Sequence, residues 1–421
     1  MIANRHSSAA PVVTPLAGLQ TIEETASEAS SVNAAVDEEM SVLLIDDFRL
    51  LEDHIKAWDD LAASALEPNV FYESWMLTPA LRKFGSEKIR VALIYARDKA
   101  RPKTNVLCGL FPLEVEPRYK RLPLKALRLW QHTYCSLCTP LVRAGCGPEV
   151  LQTFFNWLES ERREPSLIEF QSVSADGPFH HALIDALNRR SQLSFVSDLH
   201  TRALFRPRAD ADCYLRAAVS REHRKDVRRK ERSLLGLGQI EYSLLDAGED
   251  ARAWIEEFLY LESSGWKGKN RSAMASNDAS REYFIEIATE AFRRERLMMA
   301  ALRLDGQAIA MKCNFLSGAG SFAFKIAFDE SHARYSPGLL LEIENIRRLH
   351  CLPSIEWMDS CARPDHPMIN RLWLDRRAIQ TTLISSGRAM GDLAISLMPL
   401  ARWLRRKMKR RTSKSQNRGE S

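Results

Sequence analysis

The alternation of hydrophobic and polar positions divides the chain into two stretches that carry elements in the same order. Apolar positions at every second residue predict strands, whereas apolar positions three or four apart predict helices. In the first stretch these patterns predict the strands Val42–Ile45, Arg90–Ala96, Asn105–Val115, Leu141–Arg143, Leu167–Phe170 and Ser194–Leu204, and the helices Phe48–Ala62, Phe71–Phe84, Val150–Leu158 and Phe179–Leu187. Strands alternating with helices in this way predict an α/β mixed sheet.

The second stretch repeats this order. It contains predicted strands at Ile240–Leu244 and Ser354–Met358 and from Ile379 to Ile384, helices at Ala251–Ser263 and Arg281–Arg296, and a short helix at Pro367–Arg376. The predicted fold class is therefore α/β, with two mixed-sheet domains in tandem at residues 41–205 and 206–385.

The segment from Leu297 to Leu352 has the clearest pattern. Asp305-Gly306 between two apolar runs predicts a hairpin, because both turn residues take positive φ. The run 317–320, Ser-Gly-Ala-Gly, predicts a second turn, and the apolar spacing then becomes helical. Ser336 suits an N-cap and Pro337 the first helical position.

A strand that enters a helix through such a loop can hold an anion. The free N–H groups and the positive end of the helix dipole point the same way, and Arg334 could add a charged contact. The alternative is an ordinary helix start with a Pro-Gly turn.

Several motifs in the second stretch resemble the GNAT-like CelD/BcsL acyltransferase family. They are Gly265-Trp266-Lys267-Gly268, the run 304–310, Phe324–Asp329, the run 333–340, Trp357–Ala362, Asp365-His366-Pro367 and Leu372-Trp373. The resemblance extends from about Val42 to Leu383 and is weaker in the first half. It implies two GNAT-type folds in tandem, as in Fem-type peptidoglycan aminoacyltransferases, with the first domain degenerate.

The resemblance also implies acetyl-CoA or another acyl-CoA as co-substrate. The implied cofactor-binding residues lie on the strand and the loop that precede the helix, namely Lys325, Arg334, Ser336, Pro337, Gly338 and Leu339. The better-known GNAT phosphate loop has the pattern Gln/Arg-x-x-Gly-x-Gly/Ala. This chain keeps a basic residue and one glycine, and Pro337 lacks an N–H donor.

Transfer of an acyl group to an amine requires a general base and a donor to the thioester oxygen. The resemblance implies that a backbone N–H around Phe324 to Ile326 is this donor. Asp359, Glu262 and His366 are the candidate bases, in that order. Asp359 is ranked first because its apolar neighbours should raise its pKa by desolvation. The alternative for each is a structural role.

Cys361 near His366 does not make a reactive thiol, because their spacing supplies neither an aligned base nor a lowered pKa. The eight cysteines lie mostly among apolar neighbours. Cys135-x-x-Cys138 lacks the second pair that a zinc ribbon needs, so we predict no metal site.

Charge is concentrated at the carboxyl-terminal end. Residues 402–421 hold nine Lys/Arg and one Glu, a net +8, so the rest of a chain whose total is +6 carries −2. A nearly neutral body argues against a nucleic-acid partner. Within it, residues 218–235 form a basic helix that joins the two stretches, either as a surface for an anion or as a solvated helix laced with salt bridges.

The two ends of the chain carry separate predictions. Residues 1–40 lack periodicity and aromatic residues, which predicts disorder. No signal peptide or membrane span is evident, so we expect a cytoplasmic protein. In the basic tail, 386–421, one helical face carries Leu400, Trp403, Leu404 and Met408 among basic residues, after Pro399 as a helix start. This pattern indicates contact with a membrane surface or an acidic partner, or simply a solvated charge run.

Three functions follow from these observations. The first is an acyl-CoA-dependent N-acyltransferase, most simply an N-acetyltransferase, with a small-molecule or glycan amine as acceptor in polysaccharide or envelope biosynthesis. The second is a Fem-type aminoacyl transferase that uses charged tRNA. The third is a non-catalytic accessory protein for exopolysaccharide assembly, which the altered phosphate loop favours.

Overall fold

A computed structural model of the chain describes residues 36–98, 105–160, 165–265, 268 and 270–416. Most of the segment predicted to be disordered lies outside this range. The first strand begins at Val36, so the prediction that order starts at Val42 is wrong by six residues. Val36 pairs with Asp98, and this pairing extends the strand beyond its apolar part.

The strands and helices follow the predicted order, with a strand at Ala126–Leu129 and a helix at Ala211–Ala218 that were not predicted. The strands are β1 Val36–Ile45, β2 Ile89–Asp98, β3 Asn105–Glu116, β4 Ala126–Leu129, β5 Leu141–Val142, β6 Leu167–Ser174, β7 Ser194–Phe205, β8 Ile240–Leu244, β9 Leu297–Leu304, β10 Gln307–Ser317, β11 Gly320–Phe328, β12 Trp357–Asp359 and β13 Asp375–Ser385. The α-helices are α1 Ile55–Ala63, α2 Ser74–Phe84, α3 Gly147–Ser160, α4 Pro178–Arg189, α5 Ala211–Ala218, α6 Arg221–Leu235, α7 Ala251–Ser264, α8 Asp278–Arg293, α9 Pro337–His350, α10 Ile369–Leu372 and α11 Ala389–Gln416.

One mixed sheet passes through both halves of the molecule. Its strand order among the described residues is β1-β2-β3-β4-β6-β13-β7-β12-β11-β10-β9-β8, and β5 pairs with β3 at the side. Each half contains one parallel pair, β4 with β6 and β11 with β12, in otherwise antiparallel surroundings. The prediction of an α/β fold with two mixed-sheet halves in tandem is confirmed.

The last strand crosses from one half to the other. β13 lies between β6 and β7, and it pairs antiparallel with both of them. β7 in turn pairs antiparallel with β12 of the second half. The boundary at residues 205 and 206 therefore stays a prediction about the chain, since hydrogen bonding in the sheet is continuous across it.

Helices cover the sheet and divide the buried side chains into three apolar cores. The largest core holds α1 to α4 with α7 and α8, and includes Trp58 and Phe111. A second core lies beneath α5, α6 and α9, around Trp373. A small third core around Leu167 and Ile395 holds α11. Burial of this apolar area is the main stabilising contribution to such a fold.

The predicted turns between β9, β10 and β11 are confirmed. Asp305 has φ 48° and Gly306 has φ 82°, as the hairpin requires. At the second turn Gly318 has φ 53°. Gly320 is needed for a different reason, because a Cβ at that position would lie 2.2 Å from the ring of Trp357.

One local prediction is wrong and a second is confirmed only in part. Phe48 to His54 forms a 3-10 helix before α1, so one continuous helix does not run from Phe48 to Ala62. Ser336 occupies the predicted N-cap position of α9, but it adopts a left-handed conformation and makes no side-chain cap. Pro337 lies in the first turn of that helix, as predicted.

Candidate functional site

The strands β11 and β12 separate after a short parallel stretch. Their last paired residues are Phe322 and Asp359, yet β11 continues to Phe328. Beyond Phe322, β11 is no longer paired with β12, and residues 323–328 are called the open segment below. Ligands in α/β sheets collect where neighbouring strands part in this way.

A β-bulge lies at the start of the open segment. Cys313 pairs with Lys325 and Asn314 with Ala323, so Phe324 is the extra residue on β11. Bulges redirect the strand and disrupt its pairing locally. The side chains of Phe324 to Ile326 are half-buried, in contrast to the fully buried Phe322. The segment for which the resemblance implied a free N–H is thus the irregular, partly exposed part of the strand.

The start of α9 lies against the end of β11. A Cβ at Gly338 would meet the side chains of Phe328 and Ile326 at 3.6 and 3.7 Å, which are ordinary contacts. The N–H groups of Leu339 and Leu340 both donate to the carbonyl oxygen of Ser336. Internal packing therefore does not require a glycine at position 338, although close approach of a ligand to the backbone would.

A lysine from the basic helix α6 reaches this loop. Lys230 Nζ donates to Ser336 Oγ at 3.0 Å and also pairs with Asp226 at 3.0 Å. The hydroxyl that was predicted to cap α9 is therefore a partner of a cation instead. Arg334 is exposed, and its guanidinium lies 4.6 Å from the centre of the Tyr335 ring. Two cationic side chains thus flank the start of α9, which is favourable for phosphate.

Lys325 on the open segment pairs with a buried carboxylate. Its Nζ donates to Glu262 Oε1 at 2.8 Å, and the N–H of Met274 donates to Glu262 Oε2 at 2.8 Å. Glu262 is held by α7 and by the segment that follows it. The structure brings the predicted residues Lys325 and Glu262 together, on the strand where β11 is open.

The first half contributes an aromatic ring to the same place. The ring of Tyr134 lies 5.5 Å from Lys325 Nζ and 6.3 Å from the Phe324 ring. It also stacks on Tyr283 of α8, with centroids 5.8 Å apart. No pattern along the chain indicated Tyr134, because it lies in a segment of the other half that reaches β11 only in the folded protein.

Asp359 has a different environment from the one predicted. Burial acts to raise its pKa, but Arg202 and Arg377 oppose this, and the pKa of Asp359 lies below its ordinary value. Arg202 Nη2 and Arg377 Nη1 both donate to Oδ2, at 2.7 and 3.0 Å. Oδ1 accepts from the N–H of Cys361 at 2.9 Å. The prediction of a raised pKa is wrong, because two guanidiniums outweigh the apolar neighbours.

His366 and Cys361 have local roles in the chain after β12. The N–H of Ile369 donates to His366 Nδ1 at 3.3 Å, at the start of α10. Burial raises the pKa of the Cys361 thiol to about 12, which makes it a poor nucleophile at neutral pH. Among the described residues, no group of three or more His, Cys, Asp or Glu side chains is placed to hold a metal ion.

Of the nine predicted site residues, most converge on one edge of the sheet. Lys325, Arg334 and the run 336–339 follow one another along β11 and into α9, with Glu262 against Lys325. Asp359 is enclosed in ion pairs at the end of β12. Lys230 was recognised only as part of a basic helix. Its place at the loop depends on how α6 packs, which spacing along the chain does not reveal.

Residues 221–363 match the family model described as acetyltransferase (GNAT) domain. This range contains α6, the open strand and α9. No curated protein sequence gives a significant match.

The fold is similar to solved structures at low sequence identity. A conserved protein of unknown function from Bacteroides thetaiotaomicron VPI-5482 is 12% identical with a TM-score of 0.50, over 82% of this chain and 99% of that chain. FemX is 9% identical with a TM-score of 0.51, over 78% of this chain and 95% of that one. A tandem GNAT protein from the clavulanic acid biosynthesis pathway is 14% identical, over 83% of this chain and 100% of that one, with a TM-score of 0.42.

The matched domain and the fold together define the class of protein. The chain contains a GNAT acetyltransferase domain in its second half, and this domain supports a GNAT-type acyltransferase. A GNAT fold generally uses an acyl-CoA, and the chain's own residues at α9 are of the kind that would hold its phosphates. In the described residues, no helix is both long and apolar enough to cross a membrane.

Proposed function

We propose that the protein transfers an acyl group, most simply acetyl, from acyl-CoA to an amine on a small molecule or glycan in the cytoplasm. Polysaccharide or envelope biosynthesis is the proposed setting, in line with the resemblance to the CelD/BcsL group. The observation that carries the proposal is the open segment of β11, which leads through the 3-10 helix Glu330–Tyr335 to a helix start flanked by Lys230 and Arg334.

This arrangement suits both parts of an acyl-CoA. The first turn of α9 and its two cations would hold the pyrophosphate. The pantetheine arm would continue along the open segment of β11, where that strand has parted from β12. Its thioester would then lie near the bulge at Phe324, next to Lys325 and Tyr134.

The first test is ligand binding. A thermal-shift screen of acetyl-CoA, longer acyl-CoAs and charged tRNA should show stabilisation by an acyl-CoA. By calorimetry, Lys230→Glu and Arg334→Glu should each weaken CoA binding by about 2 kcal/mol or more, since each loses a charge-assisted contact and adds repulsion.

Arg221→Glu is the matched control. It makes the same charge change on the exposed start of α6, away from the residue that contacts Ser336. Its CoA affinity should stay close to that of the unmodified protein. Equal losses in all three variants would indicate a general electrostatic effect, and unaltered affinity in Lys230→Glu and Arg334→Glu would move the site elsewhere.

For the general base we propose Glu262 ahead of Asp359 and His366. Glu262 is the candidate that contacts the open segment, through Lys325. Asp359 is held as an anion between two arginines, and its lowered pKa makes it a weak proton acceptor. His366 stays third, since its ring accepts a hydrogen bond at the start of α10.

Glu262→Gln tests this assignment. Turnover should fall by about 10²–10⁴-fold, as loss of a general base requires, while calorimetry shows unchanged acyl-CoA affinity. Lys325→Met provides the comparison, because it removes the partner of Glu262 and leaves the carboxylate. Near-normal turnover of Glu262→Gln at all pH values would exclude Glu262. Failure of the unmodified protein to acylate any amine would favour the accessory-protein hypothesis.

A Fem-type aminoacyl transferase is the second candidate. The exposed basic side chains of α6, among them Arg221, Lys225, Arg228 and Arg232, favour it because they form a surface for an anionic donor larger than CoA. Stabilisation by charged tRNA, without stabilisation by any acyl-CoA, would support this candidate over the first.

A further inference from the structure

The carboxyl-terminal helix α11 is held to the body of the protein by one face. A Cβ at Gly391 would lie 2.2 Å from the carbonyl oxygen of Ser166, so the helix backbone approaches the sheet closely there. Ile395 is buried in the third core. Further along, Arg402 Nη2 donates to the carbonyl oxygens of Val196 and Ser197, at 2.5 and 2.7 Å. These contacts fix which face of α11 points away from the protein.

The opposite face of α11 is an exposed apolar stripe. Its residues recur at alternating intervals of three and four positions, and each is 45–56% exposed: Met390, Leu393, Leu397, Leu400 and Leu404. Trp403 next to them is 54% exposed. Pro399, predicted to start the helix, lies inside it, and the stripe begins well upstream of the residues predicted from the sequence. An exposed apolar surface of this extent marks an interaction site.

Charge decides between two possible occupants of this stripe. The spacing would suit a coiled coil with a second copy. However, the residues beside the stripe, such as Ala394, Ser396 and Ala401, offer no acidic partners, and the tail from 402 onward carries a net +8. Two copies would bring two such tails together, whereas an anionic surface would neutralise them.

We propose that α11 binds an anionic membrane surface, with its apolar stripe at the headgroup–acyl boundary and the basic tail among the headgroups. The helix would lie in the plane of the membrane, as amphipathic helices do. The opposite face of α11, which packs on the rest of the protein, would keep the acyltransferase body beside the bilayer. This inference does not depend on the proposed reaction.

Liposome flotation of the full chain tests the proposal. Vesicles of phosphatidylcholine with about one third phosphatidylglycerol should bind the protein, and vesicles of phosphatidylcholine alone should bind it at least about tenfold more weakly. Binding should decrease as NaCl is added. Leu397→Asp with Leu400→Asp should abolish binding, and Arg405→Gln with Arg406→Gln should weaken it by about fivefold per residue.

Two controls separate this result from unfolding and from self-association. Leu50→Asp places the same charge at an equally exposed leucine away from α11 and should bind normally. All variants should keep the melting temperature of the unmodified protein. Equal binding to both kinds of vesicle, or no binding, would overturn the proposal. So would a dimer in light scattering that the Leu397 and Leu400 changes dissociate, since the stripe would then be covered by a second copy.

Discussion

Both halves of the molecule contain two parallel strands that part after three residue pairs, but the helix starts beside them differ. Both have an arginine four residues before a glycine at that start, Arg143 before Gly147 in the first half and Arg334 before Gly338 in the second. Arg143 is buried, and it donates to the carbonyl oxygen of Leu107 at 3.1 Å and to Ser64 Oγ at 3.0 Å. Arg334 is exposed.

The glycines differ in the same sense. A Cβ at Gly147 would lie 3.2 Å from Leu66 and 3.3 Å from Ala182, so other elements cover the start of α3. A Cβ at Gly338 would meet only the side chains of the adjoining strand, at ordinary distances. In the first half the start of this helix is therefore covered by the packing of other elements. A shared fold therefore does not imply a shared site.

The acidic residues at the two partings also differ. The last parallel pair is Phe322 with Asp359 in the second half and Arg128 with Glu169 in the first. The pKa of Asp359 is lowered by its two arginines against the effect of burial. The pKa of Glu169 is raised, because burial outweighs its neighbours Lys120, Tyr119 and Arg128. The carboxylate at this position is therefore stabilised as an anion in the second half, whereas in the first half burial disfavours the anion.

The largest effect is expected at Asp359. Asp359→Asn leaves two buried guanidiniums without their carboxylate and should lower the free energy of unfolding by about 3–5 kcal/mol. Because the pKa of Asp359 is lower in the folded than in the unfolded protein, its carboxylate stabilises the fold at pH values above the unfolded-state pKa. This stabilisation is lost as the pH falls through the folded-state pKa. The difference in free energy of unfolding between unmodified and variant protein, measured in urea, should thus be largest at pH 7 and should decrease below about pH 4. An unchanged urea midpoint at pH 7 would contradict it.

The glycine pair should separate binding from stability. Gly338→Val should weaken CoA binding by about 2 kcal/mol, because its side chain would block approach to the helix start, with little change in melting temperature. Gly147→Val should overpack the buried helix start, which destabilises the fold by about 1–3 kcal/mol and lowers the melting temperature. Its CoA affinity should be unchanged. Calorimetry and thermal unfolding of both variants check this, and a loss of CoA affinity in Gly147→Val alone would reverse the comparison.

A smaller effect of opposite sign is expected at Glu169. Glu169→Gln removes a buried charge and should raise the free energy of unfolding at pH 7 by up to about 1 kcal/mol. Because the pKa of Glu169 is higher in the folded than in the unfolded protein, the unmodified protein loses stability as the pH rises from the unfolded-state pKa to the folded-state pKa. The greater stability of Glu169→Gln should therefore vanish below about pH 4, where the carboxyl is protonated in both states. Urea unfolding at two pH values measures this. If Glu169→Gln instead destabilised the protein as Asp359→Asn does, the two carboxylates would have the same stabilising role.

The smallest effect concerns the segment before the sheet. Deletion of residues 1–35 should change the free energy of unfolding by less than about 0.5 kcal/mol. Deletion of residues 1–45 should destabilise the first half, because it also removes β1, in which Ile45 is buried and pairs with Val91. Urea unfolding of the two truncations provides the comparison. Equal stability of both would show that β1 contributes little.

The sequence alone predicted the features that depend on neighbours along the chain. The hairpin at Asp305-Gly306, the period of α9 with Pro337 in its first turn, and the order of strands and helices all follow from local geometry and from the burial of one face. The line of candidate residues from Lys325 to Leu339 was predictable for the same reason, since it is one continuous segment.

Tertiary structure decided which charges and rings meet. Whether burial or ion pairing sets the pKa of Asp359 depends on Arg202 and Arg377, which lie on two other strands of the sheet, 157 and 18 residues away along the chain. Lys230 reaches Ser336, and Tyr134 reaches Lys325, from elements that are likewise distant in sequence. Electrostatic interactions act through space and depend on local burial. A pattern of residue types along the chain therefore specifies the elements, but the packing of those elements specifies the chemistry of the site.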